Sequence, residues 1–72
     1  MSEFFYEVRM IGAEGVDTNF FHSFTRAYAF CAEYNDDCGN SYADNETAWD
    51  EVRHWGKTDI GCFEIFQREF SD

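Results

Sequence analysis

From Glu3 to Ile11, the apolar residues Phe4, Tyr6, Val8 and Met10 alternate with Glu3, Glu7 and Arg9, the period of two that a half-buried strand requires. Gly12 to Asp17 has the composition of a turn, and Asn19 to His22 then offers a short second strand able to pair back as a hairpin. Ser23 suits the N-cap of a helix. After it Phe24, Ala27, Tyr28, Cys31 and Tyr34 share one helical face, which predicts a first helix running to about Tyr34. Asn35, Asp36, Asp37, Cys38, Gly39 and Asn40 form a breaking cluster, which predicts a loop reaching Asp44. Asp44 or Asn45 can cap a second helix, with Trp49 and Val52 on its apolar face, Arg53 and His54 near its end and Gly56 at the left-handed stop. Ile60 to Phe70 reads as a final strand, and its broken alternation at Ile65 and Phe66 marks either a bulge or apolar residues on both faces. The order β-β-α-α-β predicts an α+β fold, a small antiparallel sheet of about three strands with two helices packed on one face. Residues 1–72 form a single domain without repeats, linkers or proline.

Composition narrows what such a domain can do. A chain of 72 residues has room for one core and buries only about 60% of its unfolded surface. It carries nine Phe, four Tyr and two Trp, more large rings than so small an interior holds, so several must be left at the surface as interface anchors. Fifteen Asp and Glu oppose five Lys and Arg, a formal charge of −10. Phosphate is repelled by such a chain, which argues against direct nucleic-acid binding and for a basic protein partner. Acidic chains are often disordered, but 44% hydrophobic residues with clear periodicity predict a folded core. Cys31, Cys38 and Cys62 are odd in number and lack a CxxC pair, which points to a reducing compartment. The start, MSEFFYEVRM, has no basic segment of the signal-peptide type, and no apolar run is long enough to span a bilayer. A cytoplasmic location without membrane association is expected.

Candidate chemistry fails on spacing. Cys31, Cys38, His54 and Cys62 supply thiols and an imidazole, but structural zinc sites present ligands in close pairs, and this chain has none. A calcium-loop frame starting at Asn35 puts Asp37 third and Glu46 twelfth but Gly39 fifth, whereas the sharp turn of an EF-hand needs its glycine sixth. No local signature joins His22 or His54 to a cysteine, and no glycine-rich phosphate loop or nucleophile elbow occurs. The expectation is a protein that is not an enzyme, with no catalytic residue, cofactor or metal.

The most informative stretch runs from Glu33 to Glu51. It contains Glu33, Asp36, Asp37, Asp44, Glu46, Asp50 and Glu51 and no Lys or Arg. A field of one sign repels itself and opposes compaction, so it invites a functional reading. Tyr34, Tyr42 and Trp49 interleave with the acids, and aromatics beside carboxylates can stack on arginine while the carboxylates pair with it. Glu33, Asp36, Asp37, Tyr42, Asp44, Glu46, Trp49, Asp50 and Glu51 are therefore the candidate partner-binding residues. The competing reading is an acidic loop and helix start kept for solubility and capping.

In size, acidity and α+β layout the chain resembles the small inhibitors that bacteriophages encode against host machinery, notably anti-CRISPR proteins and the nucleic-acid mimics that block restriction enzymes. The likeness rests on the acids and aromatics between Glu33 and Glu51 and transfers no individual residue role. It implies a stoichiometric inhibitor in the host cytoplasm, occupying the basic nucleic-acid site of a partner such as a CRISPR effector subunit or a nuclease. The alternative is a structural or assembly protein, including a homo-oligomer, that associates through an exposed strand edge or an aromatic patch involving Phe66 or Phe70.

Overall fold

The computed structural model describes residues 3–12 and 18–70. The elements are β1 (Phe4–Met10), β2 (Thr18–Phe21), α1 (Phe24–Cys38), α2 (Asn45–Trp55), β3 (Lys57–Ile60) and β4 (Phe63–Glu69). All strand pairs are antiparallel, in the order β2-β1-β4-β3. The α+β class with both helices on the sheet holds, but the sheet has four strands, because Lys57–Ile60, just ahead of the expected final strand, forms a strand of its own in a hairpin with Phe63–Glu69. Residues 13–17 of the expected turn lie outside the described residues.

That hairpin is built by Gly61 and Cys62. Ile60 pairs with Phe63, leaving two loop residues, and only the first has positive φ, at 60°. This is the type II′ pattern, which places glycine first and matches the twist of the flanking strands. Gly-Cys between two alternating stretches was the available signal. Lys57–Ile60 then buries Thr58 and Ile60 and exposes Lys57 and Asp59.

Helix α1 extends four residues beyond Tyr34, through Asn35, Asp36, Asp37 and Cys38, and ends at Gly39 in the left-handed conformation. The physical reason is Asn35, which is fully buried. Its Nδ2 donates to the Cys31 carbonyl at 2.8 Å and the Ile60 carbonyl at 2.9 Å, and its Oδ1 accepts from Asn40 Nδ2 at 3.1 Å and the Cys62 amide at 3.2 Å. Two donors and two lone pairs are thus all used, so a residue that usually ends helices instead ties α1 to the β3–β4 turn. Gly61 lies directly beneath it. A Cβ there would stand 2.1 Å from Asn35 Oδ1.

The remaining boundaries follow local chemistry. Ser23 Oγ accepts from the Arg26 amide, Asp44 Oδ1 accepts from the Thr47 amide at 2.8 Å, and Gly56 closes α2 at φ 77°. The core between sheet and helices holds Tyr6, Val8, Phe24, Ala27, Cys31, Ala48, Val52, Ile60, Phe63 and Ile65. Strand alternation sends Ile65 into this core and Phe66 to the opposite face, so the irregularity in β4 means apolar residues on both faces rather than a bulge.

Candidate functional site

The register divides charge between two surfaces. On the face of the sheet away from the helices lie Glu7 and Arg9 of β1, Lys57 and Asp59 of β3, and Glu64 and Arg68 of β4. Phe66 sits among them with Arg68, Arg9 and Lys57 at 5.0, 5.5 and 5.7 Å from its ring centre, distances at which cations are held by the ring. Glu7 is buried there and pairs with both Arg9 and, at 3.1 Å, Arg68. Burial opposes its charge, but hydrogen bonds and Coulomb attraction from Arg68 and Arg9 outweigh that and hold its carboxyl below its ordinary value. Lys57 is held above its ordinary value by its 2.8 Å contact with Glu64.

The candidate acids lie on the helical side. Glu33, Asp36 and Asp37 occupy the last two turns of α1, Asp44 precedes α2, and Glu46, Asp50 and Glu51 lie along α2; all are exposed. The structure gathers them into three groups. In the first, Tyr42 donates to Asp36 Oδ1 at 2.6 Å, and Tyr28, whose ring is 6.1 Å from that of Tyr42, donates to the Ala43 carbonyl. The bond to Asp36 pushes the Tyr42 phenol up to about 12; burial raises that of Tyr28, with Asp44 and Asp36 adding to the effect. The second group, Glu33 and Asp37 with Phe30 and Tyr34, lines a shallow hollow on α1. Asp50 and Glu51 line another on α2 with His54 and Trp55, whose indole is 77% exposed.

Trp49 does not join them. Its ring packs against Phe24 at 5.1 Å and Tyr6 at 6.4 Å, with Arg53 over it at 5.9 Å. Tyr42 is likewise half-buried and already bonded. The open aromatics beside carboxylates are Phe30, Tyr34 and Trp55; of the three rings expected among the acids only Tyr34 is open, and Phe30 and Trp55 take the places expected of Tyr42 and Trp49. Helical spacing could have found them, since Phe30, Glu33, Tyr34 and Asp37 fall at i, i+3, i+4 and i+7.

The acids differ in what their own fold asks of them. Asp44 caps α2, which lowers its carboxyl pKa through the bond from Thr47, and Glu46 sits in the first turn, where the helix dipole favours an anion. Glu51 accepts from the Thr58 hydroxyl at 3.4 Å, and Asp50 pairs with Arg53 at 3.4 Å. Asp36 and Asp37 have the opposite setting, in the last turn of α1 with no basic residue there, where the dipole opposes an anion by about 0.3–1 kcal/mol each in an exposed site; Glu33 lies one turn earlier. The bond from Tyr42 gives Asp36 a structural role there, which leaves Asp37 as the acid of that turn that the dipole alone would disfavour.

Other candidate chemistry stays apart. Cys31 is fully buried, and burial, aided by Cys62, pushes its thiol up to about 12, which removes it as a nucleophile at neutral pH. Among the described residues no group of three or more His, Cys, Asp and Glu could hold a metal ion, and no helix is long and apolar enough to cross a membrane. A hollow of about 520 Å³ at the starts of both helices is lined by Phe4, Tyr6, Phe24 and Trp49 with His22, Ser23, Thr25 and Asn45.

Fold and surface together define a two-layer α+β module whose helical face is predominantly acidic, with Arg26 and Arg53 exposed among the carboxylates. Comparison with protein-family models, with curated proteins and with solved structures finds no match.

Proposed function

We propose that the protein is a stoichiometric protein-binding inhibitor, not an enzyme, whose acidic helical face occupies the basic nucleic-acid-binding site of a partner. A CRISPR effector complex or a nuclease of the host cytoplasm is the partner class that its type of composition implies. The observation that carries this reading is the pair of exposed carboxylates Glu33 and Asp37 toward the end of α1, flanked by the open rings of Phe30 and Tyr34, with Asp37 in the last turn where the helix dipole opposes it. Carboxylates steer toward Lys and Arg at long range, and adjacent rings stack on guanidinium once the partner arrives.

The test is capture from a bacterial lysate with active CRISPR and restriction systems, at about 0.05 M and 0.5 M salt, between which screening of exposed charges becomes severe. Capture of a nucleic-acid-binding protein at low salt, lost at high salt and competed by DNA or RNA, is expected. Glu33→Lys with Asp37→Lys should abolish it while the circular dichroism spectrum stays unchanged. Capture that survives high salt or that double charge reversal sinks the acidic-surface mechanism.

A further inference from the structure

The sheet face away from the helices is uncovered, and its corner is aromatic. Phe5 packs against Phe20 at 5.8 Å and Phe70 at 4.9 Å between ring centres. Phe20 is 63% exposed and Phe70 49% exposed, and together with Phe21 and His22 the three rings line a hollow of about 240 Å³. Rings open to water in this way are usual at interfaces and unfavourable outside them.

Charge says what fits over them. The chain carries −10, so two copies approaching through their helical faces repel. The open sheet face is different: Glu7, Asp59 and Glu64 are matched there by Arg9, Lys57 and Arg68. These opposite charges are already paired, Glu7 with Arg9 and Arg68, and Lys57 with Glu64 and Asp59. Covering the face therefore strands no unpartnered charge. A twofold contact sets each surface against itself, which a balanced mosaic tolerates and a predominantly acidic one does not.

We propose that a second copy of this chain covers the open sheet face, forming a face-to-face homodimer centred on Phe5, Phe20 and Phe70. Strands of four, seven, seven and four residues at about 3.4 Å each, about 4.8 Å apart, give a face of roughly 360 Å² in projection. Side-chain relief enlarges that toward the roughly 600 Å² per copy at the lower end of stable interfaces. The dimer is accordingly weak, and it leaves both acidic helical faces outward, giving two binding surfaces in one particle. This inference rests on the sheet face alone and stands independently of the partner proposed for the helices.

Sedimentation equilibrium of the full chain between about 10 μM and 1 mM, the range over which a weak dimer populates, tests it. The mass should rise from monomer to dimer, and more readily at high salt, where the repulsion between two chains of −10 is screened. Phe20→Glu with Phe70→Glu should weaken association at least tenfold, whereas Glu33→Lys with Asp37→Lys should not. Should the Phe variant fail to fold, amide shifts of the unmodified chain on dilution decide the matter, with changes expected along the four strands, largest around Phe5, Phe20 and Phe70, and not along α1 or α2. A monomer across the whole range, dimerisation unaltered by the Phe substitutions, shifts confined to the helices, or preferential occupation of the face by a different protein would each overturn the proposal.

Discussion

On the helical side of the sheet, seven carboxylates between Glu33 and Glu51 stand exposed with no cation interposed in sequence. On the other side, three carboxylates and three cations interlock around Phe66. The first arrangement, offset only by Arg26 and Arg53 on the helices, leaves a net negative field in solvent that acts on a charged partner before contact. The second cancels at a distance and leaves only short-range packing to recognise. One small sheet thus separates an electrostatic surface from a contact surface, and each is sensitive to different perturbations.

The largest effect should come from cutting the tie between the two layers. Asn35→Leu leaves the Ile60 carbonyl and the Cys62 amide without their side-chain partner and is expected to cost on the order of 3 kcal/mol, seen as a fall in the urea midpoint. Gly61→Ala should act comparably, because its Cβ would overlap Asn35 and its φ is positive. Retention of the wild-type midpoint by both variants would show that Asn35 does not hold the layers together.

Next comes the acid limb of stability, which the sheet face should dominate. The Glu7 carboxyl is held below its ordinary value of 4.5, so its contribution is complete above that pH and is lost as pH falls through the depressed folded value. Stability should therefore decline below about pH 4.5, and Glu7→Gln should flatten that decline while lowering stability at pH 7 by about 1–3 kcal/mol. A Glu7→Gln protein that keeps the full acid limb would assign it to other carboxylates.

Charge reversal at the end of α1 should move stability and binding in opposite directions. Asp37→Lys places a cation where the helix dipole favours it, which should raise stability by about 0.3–1 kcal/mol, and Glu33→Lys, one turn earlier, should leave stability within about 0.5 kcal/mol, while partner capture falls in both. Loss of stability in these variants would mean that the acids serve the fold. Smaller still, Trp55→Ala should leave the unfolding midpoint within about 0.5 kcal/mol because its ring is open to water, yet weaken capture of the partner by the helical face.

Much of this architecture was legible in local chemistry. Ser23, Asp44 and Gly56 announce helix ends through their own backbone preferences, and the alternation of Tyr6, Val8 and Met10 with Glu7 and Arg9 predicts which of those β1 residues face inward. The acids of the candidate site were equally visible, since exposure of a carboxylate needs no partner to explain it. What could not be read was which aromatics stay open. Trp49 and Tyr34 both lie at helical spacing from core residues, and only the position of Tyr6, Phe24 and Phe63 in the assembled layers turns the first inward and leaves the second half open.

The amino-acid order by itself determined the helix caps, the strand periodicity, the single core and the excess of negative charge, because each depends on a residue and its near neighbours in sequence. The tertiary structure alone decided three things: that Asn35 continues a helix, that β3 and β4 form a hairpin at the sheet edge, and that Arg9, Lys57 and Arg68 meet over one phenylalanine. Those outcomes join residues up to 61 positions apart, as Glu7 and Arg68 are. The free energy that selects them comes from burying groups that local sequence leaves unpaired.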